Sequence, residues 1–134
     1  MKDVLIIDDD DAVRAALKRA LVRSGHFVRT AASGADGLNE LRARCADVVI
    51  TDIIMPSQHG VDTIRAIVKE FPQVRIVAIS GGGNYGVADY KPDAITTTAY
   101  LTEARHAGAH AVLTKPFETR DLLDAIAAAG DASR

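Results

Sequence analysis

Short apolar runs rich in valine and isoleucine alternate along the chain with stretches whose apolar residues recur every three or four positions. Runs of the first kind suit buried strands and those of the second suit amphipathic helices, so their alternation predicts parallel βαβ units. Val4-Leu5-Ile6-Ile7 is the first strand. After the acidic run Asp8 to Asp11, Ala12, Val13, Ala16, Leu17, Ala20 and Leu21 keep helical spacing until Gly25 supplies a stop, with Asp11 read as the N-cap. Phe27 to Ala31 follows as a second strand, and Ser33 with Asp36 resembles a capping box opening a helix through about Arg44, weakened by Gly34 and Gly37. Val48-Val49-Ile50-Thr51 is the third strand, and a loop with Pro56 and Gly60 leads to a helix on Val61, Ile64, Ile67 and Val68 that ends at Phe71-Pro72. The fourth strand is Val74 to Ile79.

Ser80 to about Ile95 breaks this rhythm, because three consecutive glycines, Asn84, Gly86 and Pro92 sustain neither a strand nor a helix. A fourth helix is expected from about Thr97 to Ala107, with Gly108 as its stop. The strand Ala111 to Thr114 and a helix from about Glu118 to Ala129 complete five βα units. The chain is therefore read as α/β, one domain over residues 1–129 with a frayed tail at 130–134.

Composition narrows the function. Sixteen basic and 18 acidic residues give a net charge of −2 with no basic cluster, which disfavours direct nucleic-acid binding. Cys45 is the only cysteine, so an intramolecular disulfide and a multi-cysteine metal site are excluded. The apolar run at the N-terminus is too short for a signal peptide or a membrane span, and a cytoplasmic location is expected. No Gly-Lys-Ser or Gly-Lys-Thr follows the glycine run, so a nucleotide P-loop is unsupported.

The polar residues that matter sit at strand ends. In a doubly wound sheet, ligands bind beyond the carboxyl ends of the strands, at the point where the direction of winding reverses. Asp8 and Asp9 follow strand one, Asp52 follows strand three, Ser80 follows strand four and Lys115 follows strand five. The order 2-1-3-4-5 of flavodoxin-like sheets would make strands one and three neighbours and bring the three carboxylates within a few ångströms. Such repulsion calls for a hard cation that keeps part of its hydration shell, Mg²⁺ first and Mn²⁺ as a substitute. One carboxylate can then attack a phosphoryl group, the Lys115 ammonium offsetting charge on its oxygens and the Ser80 hydroxyl donating to one of them. His26, His59, His106 and His110 share no ligand spacing with these acids and are read as structural.

These residues resemble the receiver domains of two-component response regulators over about Lys2 to Ala129. The motifs are Leu5-Ile6-Ile7-Asp8-Asp9-Asp10, Thr51-Asp52-Ile53-Ile54-Met55-Pro56 with Gly60, Ala78-Ile79-Ser80-Gly81, and Gly108-Ala109 ahead of Lys115-Pro116-Phe117. The resemblance implies a flavodoxin-like doubly wound five-stranded parallel sheet, order 2-1-3-4-5, with five helices. It implies that Asp52 is the phosphoacceptor, that Asp9 coordinates Mg²⁺ directly and Asp8 largely through water, and that the Ile54 backbone carbonyl completes the protein ligands. Ser80 and Lys115 take the roles given above, and a cis Lys115-Pro116 peptide is expected. A histidine kinase or histidine phosphotransfer protein would donate the phosphoryl group. An unidentified protein target would read the result, the regulator being a monomer or a phosphorylation-dependent dimer that assists its own phosphorylation and dephosphorylation.

Three positions depart from the family pattern. Val112 stands where many receivers carry an aromatic switch residue. Ile54 offers no polar side chain to position a hydrolytic water, which predicts slow self-dephosphorylation. Ser80 and Lys115 are 35 positions apart, longer than usual, with the excess around Tyr85, Tyr90 and Pro92, and this loop is expected to alter partner docking. Two other functions fit parts of the pattern: a degenerate receiver serving as a phosphorylation-independent interaction module, and a haloacid-dehalogenase-type phosphohydrolase using the Asp8-x-Asp10 spacing.

Overall fold

The computed structural model describes residues 2–55, 58–80, 102–115 and 117–131. Five parallel strands form one sheet: β1 (Asp3–Ile7), β2 (Phe27–Ala31), β3 (Val48–Asp52), β6 (Arg75–Ser80) and β7 (Ala111–Thr114). Their spatial order is β2-β1-β3-β6-β7, which is 2-1-3-4-5 when the sheet strands are counted along the chain. Between β3 and the next helix the chain makes a small antiparallel hairpin, β4 (Ile54–Met55) with β5 (Gln58–His59), where the sequence pattern gave only a loop. Two-residue strands are too short to carry a periodicity.

Alternate residues of the central strands serve opposite layers. Leu5, Ile7, Val49, Ile76 and Ala78 pack with Leu41 of α2 (Gly34–Ala43), Ile64 and Ile67 of α3 (Gly60–Glu70), and Ala104 and Ala107 of α4, which is helical over residues 102–107. Val4, Ile6, Val48, Ile50, Val77 and Ile79 pack with Leu17 and Leu21 of α1 (Asp11–Arg23) and Leu122 and Ile126 of α5 (Thr119–Asp131). A sheet covered on both faces explains why its inner strands read as unbroken apolar runs. The direction of winding reverses between the neighbouring strands β1 and β3.

Local chemistry sets several boundaries. Helix α1 is capped by Asp10 and not by Asp11: the Asp10 carboxylate accepts from the Ala12 and Val13 amides, at 2.9 and 3.2 Å, and Asp11 is the first helical residue. Asp10 has the extended backbone that a cap requires, and Asp11 adds a favourable negative charge to the first turn. Ser33 caps α2 through the Asp36 amide. Gly108 adopts φ +125°, a left-handed conformation that ends α4. Gly37 has a packing role: a Cβ there would stand 2.8 Å from Ile7 Cγ1, so the missing side chain lets α2 approach β1.

The last helix runs to Asp131, two residues beyond the expected end at Ala129, with Ala129 buried and Gly130 close to the Lys2 side chain. The Gly-rich stretch after Ser80, the tyrosines at 85, 90 and 100, the first turns expected of the fourth helix, Pro116 with its peptide isomer, and residues 132–134 lie outside the described residues.

Candidate functional site at the carboxyl edge of the sheet

Strand register brings the polar residues together. Ile7 is paired with Thr51 and Asp52 with Ile79, so Asp8, one residue past the end of β1, comes level with Asp52 at the end of β3. On the other side Ser80 is paired with Thr114, and the Lys115 amide donates to the Ser80 carbonyl at 2.9 Å. The lysine that follows β7 is thereby held beside the end of β6.

Carboxylate oxygens of Asp8, Asp9 and Asp52 lie within 4.8 Å of one another. Asp8 and Asp52 are 1% and 2% exposed, whereas Asp9 is exposed to solvent. Lys115 Nζ lies 3.2 Å from Asp52 Oδ2 and 3.8 Å from Asp8 Oδ2, and its side chain is 13% exposed. Asp8 Oδ1 accepts from the Asp10 amide at 2.9 Å, while among the described residues Asp8 Oδ2 has no hydrogen-bond partner beyond its longer ion pair with Lys115. The Ser80 hydroxyl is fully buried and has no hydrogen-bond partner among the described residues.

The electrostatics are unbalanced. Burial raises the pKa of Asp8, and the charges of Asp52 and Asp9 add to the rise; the Asp10 amide and Lys115 oppose it, and the result is about 6. Among the described residues one ammonium, paired with Asp8 and Asp52, faces a group of three carboxylates and leaves it net negative, and a buried carboxylate oxygen without a hydrogen bond is a ligand atom in waiting. Two buried carboxylates and one exposed carboxylate, with no His or Cys in the group, suit an oxygen-loving divalent cation that retains water on its open side. The Ile54 residue opens the β4–β5 hairpin directly after Ile53, which places its backbone next to this group in sequence.

Two residues have parts in this loop that the sequence does not assign: the sequence pattern uses Asp10 only for the Asp8-x-Asp10 spacing and gives Arg14 no role. Asp10 fixes the start of α1, and Arg14, on the second turn, donates from Nη1 to the Asp8 carbonyl at 2.6 Å and pairs with the Asp11 carboxylate. The three-residue spacing from Asp11 to Arg14 was the visible signal for the ion pair. The reach back to Asp8 was not legible without coordinates. His26 accepts from the Lys2 amide and His110 from the Ile76 amide, both away from the acidic group.

This fold, with an acidic group at the switch point and a lysine opposite, defines a class of regulatory domain. The chain belongs to the response regulator receiver domain family, which it matches over residues 4–127. It is 32% identical over 123 residues to the DNA-binding transcriptional regulator NtrC of Azospirillum brasilense, covering 92% of this chain and 23% of that protein. It is 30% identical over 126 residues to the chemotaxis protein CheY of Thermotoga maritima, covering 93% of this chain and 94% of that one. Among solved structures, a response regulator receiver domain protein from Clostridium thermocellum superposes with a TM-score of 0.79 at 32% identity, covering 98% of this chain and 95% of that chain. The chain thus spans under a quarter of the length of NtrC and nearly all of CheY. No helix among the described residues is long and apolar enough to cross a membrane.

Proposed function

We propose that the protein is a phosphoacceptor receiver in which Asp52 takes a phosphoryl group from a phosphohistidine of a histidine kinase or histidine phosphotransfer protein. The observation that carries this reading is the convergence of the buried Asp52 carboxylate, a second buried carboxylate at Asp8 and the Lys115 ammonium at 3.2 Å from Asp52.

In this reading an Asp52 carboxylate oxygen attacks phosphorus in line with the departing imidazole nitrogen. A P–O bond forms, the P–N bond breaks, and its electron pair leaves with the histidine. Asp8, Asp9, Asp52 and the Ile54 backbone carbonyl would hold Mg²⁺ or Mn²⁺, which when bound neutralises the carboxylates and the charge on the transferring oxygens. Lys115, already paired with Asp52, turns its ammonium to a phosphoryl oxygen once the carboxylate is esterified. Ser80 then gains an acceptor for a buried hydroxyl that otherwise has none among the described residues. That new bond exists only in the modified state and biases the conformation towards it. The phosphorylated form would be read by a downstream protein.

The phosphohydrolase alternative needs Asp10 as a catalytic group, yet the Asp10 carboxylate is engaged in capping α1. Incubation with Mg²⁺ and acetyl phosphate, followed by intact mass measurement, tests the reading. A single added phosphate in the wild type that is absent from Asp52→Asn supports it. An adduct that survives in Asp52→Asn, or none in either protein, contradicts it.

A further inference from the structure

The acidic loop between β1 and α1 carries four consecutive carboxylates, Asp8 to Asp11; Lys115 reaches the Asp8 carboxylate from β7, and Arg14 is the basic side chain of α1 that folds back over the loop. Arg14 spans the loop. One guanidinium nitrogen donates to the Asp8 backbone carbonyl at 2.6 Å and the other pairs with the Asp11 carboxylate, while the side chain is only 17% exposed. Inside this span the Asp8 carboxylate accepts from the Asp10 amide, and the Asp10 carboxylate accepts from the Ala12 and Val13 amides. The loop is therefore tied from the first residue after β1 to the second turn of the helix, and among the described residues the Asp9 carboxylate takes no hydrogen bond within it and stands with those of Asp8 and Asp52.

We propose that Arg14 is a positioning residue: it locks the β1–α1 loop in the form that presents Asp8 and Asp9 together to a divalent cation. This rests on the metal-assisted phosphoacceptor reading. The physical case is one of sign. A positive charge near a cation site repels the cation, so an Arg14 acting only through its charge would weaken binding by being there. An Arg14 that holds the ligands in place strengthens binding, because the loop's ordering is settled before the cation arrives. The two effects have opposite consequences when the side chain is removed.

The test measures Mn²⁺ affinity by electron paramagnetic resonance of the free ion, for the full chain, Arg14→Met, Arg14→Lys and Asp9→Asn. Arg14→Met keeps most of the aliphatic stem and should bind Mn²⁺ about tenfold more weakly, although it has lost a positive charge. Arg14→Lys keeps the charge but not the two-point fork, and should also bind more weakly. In metal-free protein, amide exchange at Asp10, Ala12 and Val13 should accelerate in both variants. Binding by Arg14→Met that equals or exceeds the wild type overturns the proposal, and if Arg14→Met does not fold, the same result for Arg14→Lys does so. Mn²⁺ binding that Asp9→Asn abolishes while both Arg14 variants retain it overturns this inference alone. A wild type that binds no Mn²⁺ overturns the phosphoacceptor reading and this inference with it.

Discussion

Lys115 and Asp52 are 63 positions apart in the chain, and the lysine Nζ stands 3.2 Å from Asp52 Oδ2 with the same nitrogen 3.8 Å from Asp8 Oδ2. One ammonium thus stands between two buried carboxylates. Removing it should be costly in a pH-dependent way, since breaking a buried pair leaves uncompensated charge. Lys115→Met is expected to destabilise the metal-free protein by about 3 kcal/mol at neutral pH, and by less near pH 5 where a carboxylate can take up a proton instead. Urea unfolding at the two pH values measures this.

Asp8 gives a second pH dependence, of opposite sense to that of a salt-bridged carboxylate. Its pKa is raised from 3.8 to about 6, chiefly by burial, so protonation is favoured by folding. The stabilisation from this group is fully present below about pH 4 and is lost as pH rises through about 6. With chelator present, Asp8→Asn should therefore match the wild type at low pH and be more stable above pH 6, by about 3 kcal/mol. Saturating Mg²⁺ should shrink or reverse the difference, because the wild type alone keeps the carboxylate. Thermal melts across pH, with and without Mg²⁺, give the comparison.

Gly37 allows a prediction from packing alone. Alanine is the better helix former by about 1 kcal/mol, yet the new methyl would press on the Ile7 side chain at the end of β1. Overpacking of this kind costs about 1–3 kcal/mol, so Gly37→Ala is expected to be net destabilising. A denaturation midpoint at or above that of the wild type would show that α2 can shift away.

Asp10→Ala removes the cap of α1 and should cost about 1 kcal/mol, whereas Asp11→Ala should cost less. Chemical denaturation of the two variants side by side distinguishes cap from first-turn charge.

Much of this was legible in the sequence because the signals were redundant. Val4 to Ile7, Val48 to Thr51 and the run ending at Ile79 are buried on both faces, so the runs are close to continuously apolar, and they are followed by Asp8, Asp52 and Ser80. The candidate site lies at those ends, which is why Asp8, Asp52, Ser80 and Lys115 could be named before any coordinates. What escaped depended on geometry that spacing does not encode. Four consecutive aspartates offer no local clue to which one adopts the extended backbone of a cap, and it is Asp10. Gly37, read as a helix weakness, is instead the point where α2 meets Ile7, a contact between residues 30 positions apart. The β4–β5 hairpin is defined by backbone pairing of Ile54 with His59 and leaves no hydrophobic pattern.

The central claim is that the phosphoryl group goes to the carboxylate at the end of β3. Acetyl phosphate treatment in Mg²⁺, followed by borohydride reduction and peptide mapping, locates an acyl phosphate directly, because the modified aspartate is converted to homoserine. The account predicts homoserine at Asp52 and unmodified aspartate at Asp8, Asp9 and Asp10. Homoserine in the peptide that carries Asp8 to Asp10, with Asp52 intact, would contradict it.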